Sequence, residues 1–242
     1  MPSLSLAIPA YNEEESLEGT VNAYLAALRE LNGDFEIVLL DDGSTDRTCI
    51  IIKDLASRHP TIITPVFHAC NEGMARAFEN VQRAAKKEFV LALGADGQYS
   101  SDIIAKCLPH LDVCDVLICK RKQKHYSPYR ALISGLYRWV CRVCFGIDLF
   151  DPGGAKVIRR RLFDELPVRS RSVFREPERV IRAVWGGYRI GMVEVTCVPR
   201  QAGKARGCNL RLILSALRDI GILWWKCRFT KAASKFPRSQ HH

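Results

Sequence analysis

Two adjacent carboxylates follow an apolar segment of the chain in a pattern that could bind a polar ligand. The apolar run 35–40 ends in Asp41 and Asp42, and Gly43 and a Ser/Thr/Asp cluster come next. In an open parallel sheet, ligands bind outside the carboxyl ends of the strands, so polar residues at such an end indicate a site. The alternative is a turn followed by a helix cap.

The first apolar run of the chain ends in a similar way. Residues 4–8 lead into a segment that contains Pro9, Tyr11 and Glu13. Two successive strand ends that carry acids and a tyrosine favour one shared pocket over two unrelated turns.

Alternating strand-like and helical patterns in the first half indicate the elements that position these residues. The predicted strands are 4–9, 35–40, 62–67, 88–93 and 115–119, and the predicted helices between them are 14–31, 45–57, 73–86 and 101–111. This alternation predicts βαβ units, a parallel sheet and right-handed crossovers. Beyond residue 120 the pattern changes to a basic loop and a mixture of elements, namely helices near 128–145, 176–185 and 208–228 and strands at 155–158 and 188–198.

Composition places limits on the class of protein. The chain has 242 residues, of which 48% are hydrophobic, so one domain with a substantial core is expected. No apolar run reaches the length of a membrane span, and the first residues do not resemble a signal peptide. The ten cysteines are scattered through apolar patterns, which is typical of a reducing, cytoplasmic environment. Cys141 and Cys144 have the spacing of a metal or redox pair, but ordinary packing in a helix is favoured.

The net charge of +10 is unevenly distributed. Acids concentrate in residues 1–118, whereas 120–142, 156–182 and 200–231 are rich in Lys and Arg. This asymmetry favours an anionic partner such as nucleic acid, phospholipid or a phosphorylated substrate, although solubility alone is the other explanation. Nucleic acid is the least favoured partner, because the acids at the strand ends would repel its phosphates.

The order of the motifs carries a resemblance to a known family. Ile8-Pro9-Ala10-Tyr11-Asn12-Glu13, Asp41-Asp42-Gly43-Ser44, Asn71-Glu72-Gly73 and Gly94-Ala95-Asp96-Gly97-Gln98 follow one another as in family 2 glycosyltransferases of the GT-A fold. Asp151-Pro152-Gly153-Gly154, Phe174-Arg175-Glu176 and the loop 200–206 extend the similarity over nearly the whole chain. Within the family, the chain most resembles dolichol-phosphate mannose synthases and bacterial polyprenyl-phosphate glycosyltransferases.

The resemblance implies an α/β fold of the GT-A type, which is a Rossmann-like three-layer arrangement with a mostly parallel central sheet. We expect a single glycosyltransferase domain over residues 1–240. Within it, 1–119 would bind the nucleotide sugar, 120–207 would form the acceptor half, and 208–231 would form a C-terminal amphipathic helix.

The resemblance also assigns a donor site for a UDP- or GDP-linked sugar. Carboxylates at the strand ends can accept hydrogen bonds from ribose hydroxyls and base N–H groups, and the ring of Tyr11 can pack against the base. Gly73 permits close approach of the backbone at a helix start, which favours anions, although a simple helix-entry turn is the alternative. The implied nucleotide contacts are Pro9, Tyr11, Glu13, Asp41, Asp42, Gly73, Ala95 and Asp96.

A divalent cation, Mg²⁺ or Mn²⁺, is implied at an Asp-x-Asp motif that follows a strand. In this chain Gly94 stands at the first position of that motif, so Asp96 and Gln98 are the predicted ligands. Such cations often take only one or two carboxylates and fill their remaining positions with phosphate oxygens and water. We therefore expect weak metal use.

The implied acceptor is a polyprenyl phosphate, whose phosphate oxygen is already ionised near pH 7 and has little need of a general base. The site must then align two anionic groups for in-line displacement with inversion. The predicted acceptor-phosphate contacts are Lys120, Arg130, Arg200 and Arg206, and the predicted catalytic residues are Asp96, Asp151 and Arg200. Asp151 is expected near the anomeric centre or the metal shell. For the basic loop Lys120 to Lys124, the alternative to phosphate binding is a solvated loop without a ligand.

The predicted C-terminal helix combines Leu, Ile and Trp residues with Arg and Lys. This composition suits peripheral contact with the inner face of an anionic membrane, and a core-facing helix with a basic outer side is equally compatible. Two other functions remain open for the chain: a transferase of the same fold that acts on a soluble saccharide, and a catalytically weak protein that binds nucleotide sugars.

Overall fold

The computed structural model describes residues 2–122, 128–147, 151, 153–198 and 210–229. Seven strands in these residues form one sheet in the order β3-β2-β1-β4-β6-β5-β7. Their bounds are β1 Leu4–Ala10, β2 Phe35–Asp41, β3 Ile63–Phe67, β4 Phe89–Ala92, β5 Val116–Arg121, β6 Lys156–Arg159 and β7 Ile190–Val195. The helices are α1 Leu17–Glu30, α2 Thr48–Arg58, α3 Met74–Ala84, α4 Asp102–Cys107, α5 Pro128–Phe145, α6 Leu162–Glu165, α7 Arg175–Trp185 and α8 Leu210–Phe229, and a 3₁₀ turn covers Leu108–His110.

β1 and β2 are almost continuous runs of buried apolar residues, which is typical of parallel strands covered on both faces. They pair in parallel from Leu4 with Phe35 to Ala10 with Asp41. Because the last residues of the two strands, Ala10 and Asp41, pair with each other, both strands end at the same level of the sheet. The loops that carry Tyr11 and Asp42 therefore start side by side.

β6 is the antiparallel strand of this otherwise parallel sheet, and it lies between β4 and β5. Lys156, at its start, is aligned with Ala92 and with Ile118. The segment before β6, which contains Asp151, is consequently brought to the carboxyl ends of β4 and β5. The second half of the chain thus contributes to the same sheet edge as the first half.

Helices cover both faces of the sheet. One buried apolar cluster joins the sheet to α1, α2 and α4, and a second joins it to α3, α5, α6, α7 and α8. This is the three-layer α/β arrangement with a mostly parallel sheet that the sequence predicts. Several elements are shorter than predicted: α1 begins at Leu17 rather than at residue 14, α4 gives way to the 3₁₀ turn at Leu108, and β7 ends at Val195 rather than at residue 198.

Candidate active site

Hydrogen bonds between side chains and backbone join the loops after β1 and β2. The amide of Asn12 donates to Ser44 Oγ at 3.0 Å, and the amide of Thr45 donates to Asn12 Oδ1 at 2.8 Å. The amide of Glu13 donates to Thr48 Oγ1 at 2.9 Å. The predicted pair of neighbouring strand ends is therefore one connected unit at the edge of the sheet.

The carboxylate of Asp42 is buried, with 2% of the residue exposed, and holds the segment before α3. Its Oδ1 accepts from the amide of Glu72 at 2.9 Å and lies 2.7 Å from His68 Nδ1, and its Oδ2 accepts from the amide of Gly73 at 3.0 Å. Gly73 has φ of +89°, a conformation that side chains disfavour. Asp42 thus fixes the backbone at the start of α3.

His68 completes this arrangement on the other side of Asp42. Its Nε2 lies 2.9 Å from Asn80 Nδ2 on α3. Since the amide nitrogen of Asn80 can only donate, Nε2 accepts, and Nδ1 is the ring nitrogen that donates to Asp42. The sequence did not single out His68, because its connection to Asp42 depends on the pairing of β2 with β3.

Four other predicted donor-site residues lie at the same edge. Asp41 is 3% exposed and its Oδ1 accepts from the amide of Ser44 at 3.1 Å. Pro9, Tyr11 and Glu13 are all partly exposed. Tyr11 and Glu13 are therefore accessible from the surface at this edge, whereas Asp41 is buried.

The loop after β4 is attached to α1 and to the segment before β6. Ser16 Oγ donates to the carbonyl of the buried Ala95 at 3.0 Å. The hydroxyl of Tyr99 accepts from the amide of Ala155 at 2.9 Å, and burial raises the pKa of this tyrosine. Between these anchors, Asp96 Oδ1 accepts from the amide of Gln98 at 3.2 Å. Asp96 and Gln98 are therefore held next to each other in a fixed turn.

A buried ion pair connects Asp151 to the end of β5. Nε of Arg121 donates to Asp151 Oδ2 and Nη2 donates to Oδ1, both at 2.8 Å. The side chain of Asp151 is 1% exposed and that of Arg121 is 11% exposed. The sequence placed Arg121 only within a basic loop. Alternation along β5 was the available signal, since it puts Arg121 and the buried Cys119 on one face and Lys120 on the other.

Gly154 and Lys156 pack next to this ion pair and hold the segment that contains Asp151. A Cβ on Gly154 would come within 2.6 Å of the carbonyl oxygen of Cys119 and 3.1 Å of the Asp151 carboxylate, so only glycine fits. Nζ of the buried Lys156 donates to the carbonyl of Gly154 at 2.8 Å, and burial lowers the pKa of this lysine. Gly154 and Lys156 of the Asp-Pro-Gly-Gly-Ala-Lys motif therefore help to fix the position of the Asp151 carboxylate.

Of the four predicted acceptor cations, the structure describes the side chain of Lys120. Lys120 lies on β5 and its Nζ donates to Glu194 Oε1 of β7 at 3.1 Å, at an exposed position. Arg200, Arg206 and the side chain of Arg130 lie outside the described residues. Their role in binding the acceptor stays a prediction.

The sequence profile of the family described as "Glycosyl transferase family 2" matches residues 5–167. The chain belongs to this family. The matched range contains the loops after β1, β2 and β4 and the Arg121–Asp151 pair, and the resemblance predicted from the motif order is confirmed.

Curated relatives of the family 2 chain are about 30% identical to it over the matched part. An undecaprenyl-phosphate 4-deoxy-4-formamido-L-arabinose transferase of Pseudomonas fluorescens Pf-5 is 30% identical over 165 residues, which are 67% of the chain and 49% of the relative. The protein of the same name from Pectobacterium carotovorum is 32% identical over 152 residues, 62% of the chain and 46% of the relative. The chain thus spans about half the length of these relatives.

Solved structures of similar fold include glycosyltransferases. Glucosyl-3-phosphoglycerate synthase from Mycobacterium tuberculosis, in complex with Mg²⁺ and UDP, has a TM-score of 0.68 at 19% identity and covers 91% of this chain and 80% of its own. A mannosyltransferase from Pyrobaculum calidifontis, in complex with GDP-Man and Mn²⁺, has a TM-score of 0.60 at 18% identity, with coverage of 97% and 77%. At this identity they establish the fold, and the predicted GT-A architecture is confirmed.

The loop after β4 of the family 2 chain offers a small donor set for a cation. In the described ranges, no three His, Cys, Asp or Glu side chains converge to hold a metal by themselves. Asp96 and Gln98 supply one carboxylate and one amide oxygen, which are ligands that Mg²⁺ and Mn²⁺ accept. These residues fit a cation that takes most of its ligands from a diphosphate and water.

An apolar surface lies on two helices that pack against each other. α5 exposes the stripe Leu132, Leu136, Trp139 and Val143, and α8 exposes Leu214, Leu217, Ile222, Trp224 and Trp225. Their opposite faces are buried through Cys141, Phe145, Ala216 and Ile220. Of the helices that the structure describes, none is long and apolar enough to cross a membrane.

Proposed function

We propose that the chain transfers a sugar from a UDP- or GDP-linked donor to a polyprenyl phosphate, with inversion at the anomeric carbon. The observation that carries this proposal is the convergence, at one sheet edge, of the family's three strand-end loops and the Arg121–Asp151 pair. Relatives at about 30% identity are named as undecaprenyl-phosphate transferases, which supports the acceptor class.

The loops after β1 and β2 would bind the nucleoside. Asp41 would accept a hydrogen bond from the base or ribose, Glu13 would accept from a hydroxyl, and Tyr11 would cover the base with its ring. Asp42 would act indirectly, because its two oxygens hold the backbone at Glu72 and Gly73. That backbone leads into the N-terminus of α3, where the helix dipole favours the diphosphate.

Asp96 and Gln98 would hold Mg²⁺ or Mn²⁺ together with the diphosphate. When bound, the cation neutralises charge that develops on the leaving diphosphate. The carbonyl of Ala95, held by Ser16, would keep this loop in place against α1.

A polyprenyl phosphate would enter beside β5. The attacking oxygen carries its charge near pH 7, so the chain's task is to bring two anions together and align them. Arg200, Arg206, Arg130 and Lys120 would supply the positive charge for this alignment. Asp151 enters the proposal as the partner of Arg121: the bidentate pair would fix a guanidinium at the floor of the acceptor entrance.

The α5–α8 surface would rest on the membrane that contains the acceptor. Its exposed Leu, Val and Trp side chains suit the boundary between head groups and acyl chains, and Arg142, Arg218 and Lys226 on the same helices suit anionic lipids. Peripheral contact would deliver the lipid phosphate to an enzyme domain without requiring these helices to span the bilayer.

The decisive experiment is a donor panel scored for release of nucleoside diphosphate with and without a short-chain polyprenyl phosphate. We expect one donor to be consumed only when the lipid phosphate is present, with the sugar recovered on the lipid. Arg200→Ala should abolish most of this transfer while leaving donor affinity unchanged, and Arg200→Lys should restore part of it, because an ammonium keeps the charge but loses the bidentate fork. Transfer only to a sugar hydroxyl would contradict the proposal.

A second candidate is a nucleotide-sugar-binding protein with little catalysis. The observation that favours it is Gly94, which leaves the loop after β4 with one carboxylate. Donor binding without turnover of any donor in the panel would select this candidate.

A further inference from the structure

A basic cleft lies at the sheet edge opposite the candidate active site. Its volume is about 510 Å³, and it is lined by six cations and two carboxylates from the segments next to β4, β5, β6 and β7. Asp115 immediately precedes β5, whereas Arg121 ends it. At about 3.3 Å per residue, the two edges are roughly 20 Å apart, so this cleft is separate from the donor site.

The antiparallel β6 and the two residues after it bring three of the six cations, Arg159, Arg160 and Arg161, to the cleft. Arg159 ends β6 opposite Phe89, at the beginning of β4, and its guanidinium lies 4.4 Å from the centre of the Phe89 ring. Its Nε lies 3.1 Å from Asp115 Oδ1, and Nη1 contacts Glu88. Arg159 is therefore held in place by an aromatic ring and two carboxylates.

One carboxylate anchors three arginines. Besides Arg159, Nη2 of Arg161 donates to Asp115 Oδ1 at 3.3 Å, and Nε of Arg189 lies 3.7 Å from Oδ2. Burial alone would raise the pKa of Asp115, but the amide of Arg189 and the three guanidinium groups lower it overall. Asp115 is thus ionised at neutral pH and keeps the arginines together.

The outer two arginines keep donors available. The side chains of Arg161 and Arg189 are 57% and 60% exposed. A guanidinium has five N–H donors, and Asp115 uses few of them. Arg161 Nε also lies 4.0 Å from Glu165, whose other oxygen accepts from Tyr188.

Positive charge in the cleft exceeds negative charge. Lys87 pairs with Asp34, and Arg160 pairs with Asp164. This leaves four cations, Lys86, Arg159, Arg161 and Arg189, against three carboxylates, Glu88, Asp115 and the more distant Glu165. Arginines held in fixed geometry are suited to phosphate oxygens, which they can bind through two parallel N–H···O bonds.

We propose that this cleft binds a phosphate group that carries two or more negative charges. Arg161 and Arg189 would donate to its oxygens, Lys86 would add charge, and Asp115 would position both arginines. A free phosphorylated metabolite and an anionic lipid head group present the same chemistry, and the test distinguishes them. The proposal does not depend on the transferase activity.

Inorganic diphosphate is the probe for a free ligand. Backbone amide signals of the full chain are followed by NMR during titration, and we expect shifts at residues 86–89, 115, 159–161 and 189. The double variant Arg161→Gln/Arg189→Gln should lower the affinity of this site at least tenfold, because neutral amides keep most of the bulk but lose the charge. Arg29→Gln, on the exposed end of α1, is the control and should bind diphosphate as the wild type does.

Vesicles of phosphatidylcholine with and without phosphatidic acid are the probe for a lipid source. The vesicles are tested in a Leu136→Asp/Trp139→Asp background, which removes the proposed contact of α5 with lipid. Retention on phosphatidic acid that is lost when Arg161→Gln/Arg189→Gln is added would assign a head group, whereas diphosphate binding without such a loss would assign a free phosphate compound. Both support the site. Signals that shift only near Gly73 and Asp96, or equal affinity of the double variant and the wild type for both probes, would overturn it.

Discussion

Arg121 and Asp151 form a bidentate ion pair in which two N–H···O contacts of 2.8 Å join the end of β5 to the segment before β6. The two residues are 30 positions apart, and their meeting depends on the insertion of β6 between β4 and β5. The pair is almost completely buried, so its geometry is protected from water.

Removing one partner of this pair should destabilise the fold. Asp151→Asn removes the carboxylate that accepts two N–H bonds from the buried Arg121 guanidinium, and we expect the free energy of unfolding to fall by about 3–5 kcal/mol. Urea unfolding followed by circular dichroism measures this loss. Glu18→Gln, which breaks the exposed pair with Arg58, is the control and should leave the midpoint unchanged. Equal midpoints for Asp151→Asn and the wild type would contradict the structural role.

Asp41 and Asp42 should affect donor binding by different routes. Asp41→Ala should weaken the binding of UDP- or GDP-sugars by about 1–3 kcal/mol, the scale of a lost hydrogen bond to a charged group. Asp42→Ala should weaken it similarly, because the backbone at Gly73 loses its acceptor. Calorimetry on both variants measures the effect.

His68→Gln separates the two routes. Glutamine can still donate to Asp42, so donor affinity should fall less than in Asp42→Ala, whereas His68→Ala should approach the Asp42→Ala value. If both His68 variants bind the donor as the wild type does, the His68–Asp42 contact has no positioning role.

Much of this site can be predicted from the sequence. The contacts that cannot be predicted are those formed by segments that are distant in the chain. Continuous apolar runs identified β1 and β2, and the polar residues that follow them identified the shared edge that contains Asp41 and Tyr11. The partner of Asp42 could not be predicted, because His68 is brought in by strand pairing. Alternation along β5 indicates that Arg121 shares a face with the buried Cys119, but its contact with Asp151 depends on the position of β6 between β4 and β5. The position of β6 in the sheet has the same origin, since a four-residue strand carries no signal of its neighbours.

A second carboxylate at position 94 should strengthen metal use. A Cβ on Gly94 would lie 3.2 Å from Asp96 Oδ1, so the carboxyl group of Gly94→Asp would be close enough to share a cation after a small shift of Asp96. We expect the wild type to need millimolar Mg²⁺ or Mn²⁺ and Gly94→Asp to need less, as measured by nucleoside diphosphate release against metal concentration. Gly94→Asn is the uncharged control. Full activity of the wild type in excess chelator would refute metal use.

Glu79 should make the fold sensitive to acid. Burial opposes its ionisation, but hydrogen bonds and charge from Arg175 and Arg179 hold its pKa well below the usual 4.5. A depressed pKa in the folded state gives stability that is present above about pH 4.5 and lost as the pH falls. Glu79→Gln should therefore unfold more easily at pH 7, by about 3 kcal/mol, and lose less stability between pH 5 and 3.

The control for Glu79 is Glu30→Gln at the exposed end of α1, which should leave the pH profile of the wild type intact. Unfolding midpoints collected from pH 3 to pH 7 provide the comparison. A Glu79→Gln profile parallel to that of the wild type would show that other carboxylates cause the acid sensitivity.

The exposed stripe on α5 should determine attachment to membranes. Leu136 and Trp139 are 57% and 61% exposed, so replacing both by Asp should leave the core intact while adding charges that resist entry into the lipid interface. We expect cosedimentation with phosphatidylcholine/phosphatidylglycerol vesicles to fall at least tenfold. Ile50→Asp is the matched control, because Ile50 is 61% exposed on α2, away from α5 and α8.

Transfer to a detergent-dispersed short-chain polyprenyl phosphate should stay at the wild-type rate in the Leu136→Asp/Trp139→Asp variant, since that acceptor needs no membrane. Vesicle binding that is unchanged by Leu136→Asp/Trp139→Asp, or reduced equally by Ile50→Asp, would exclude the α5 stripe as the membrane surface.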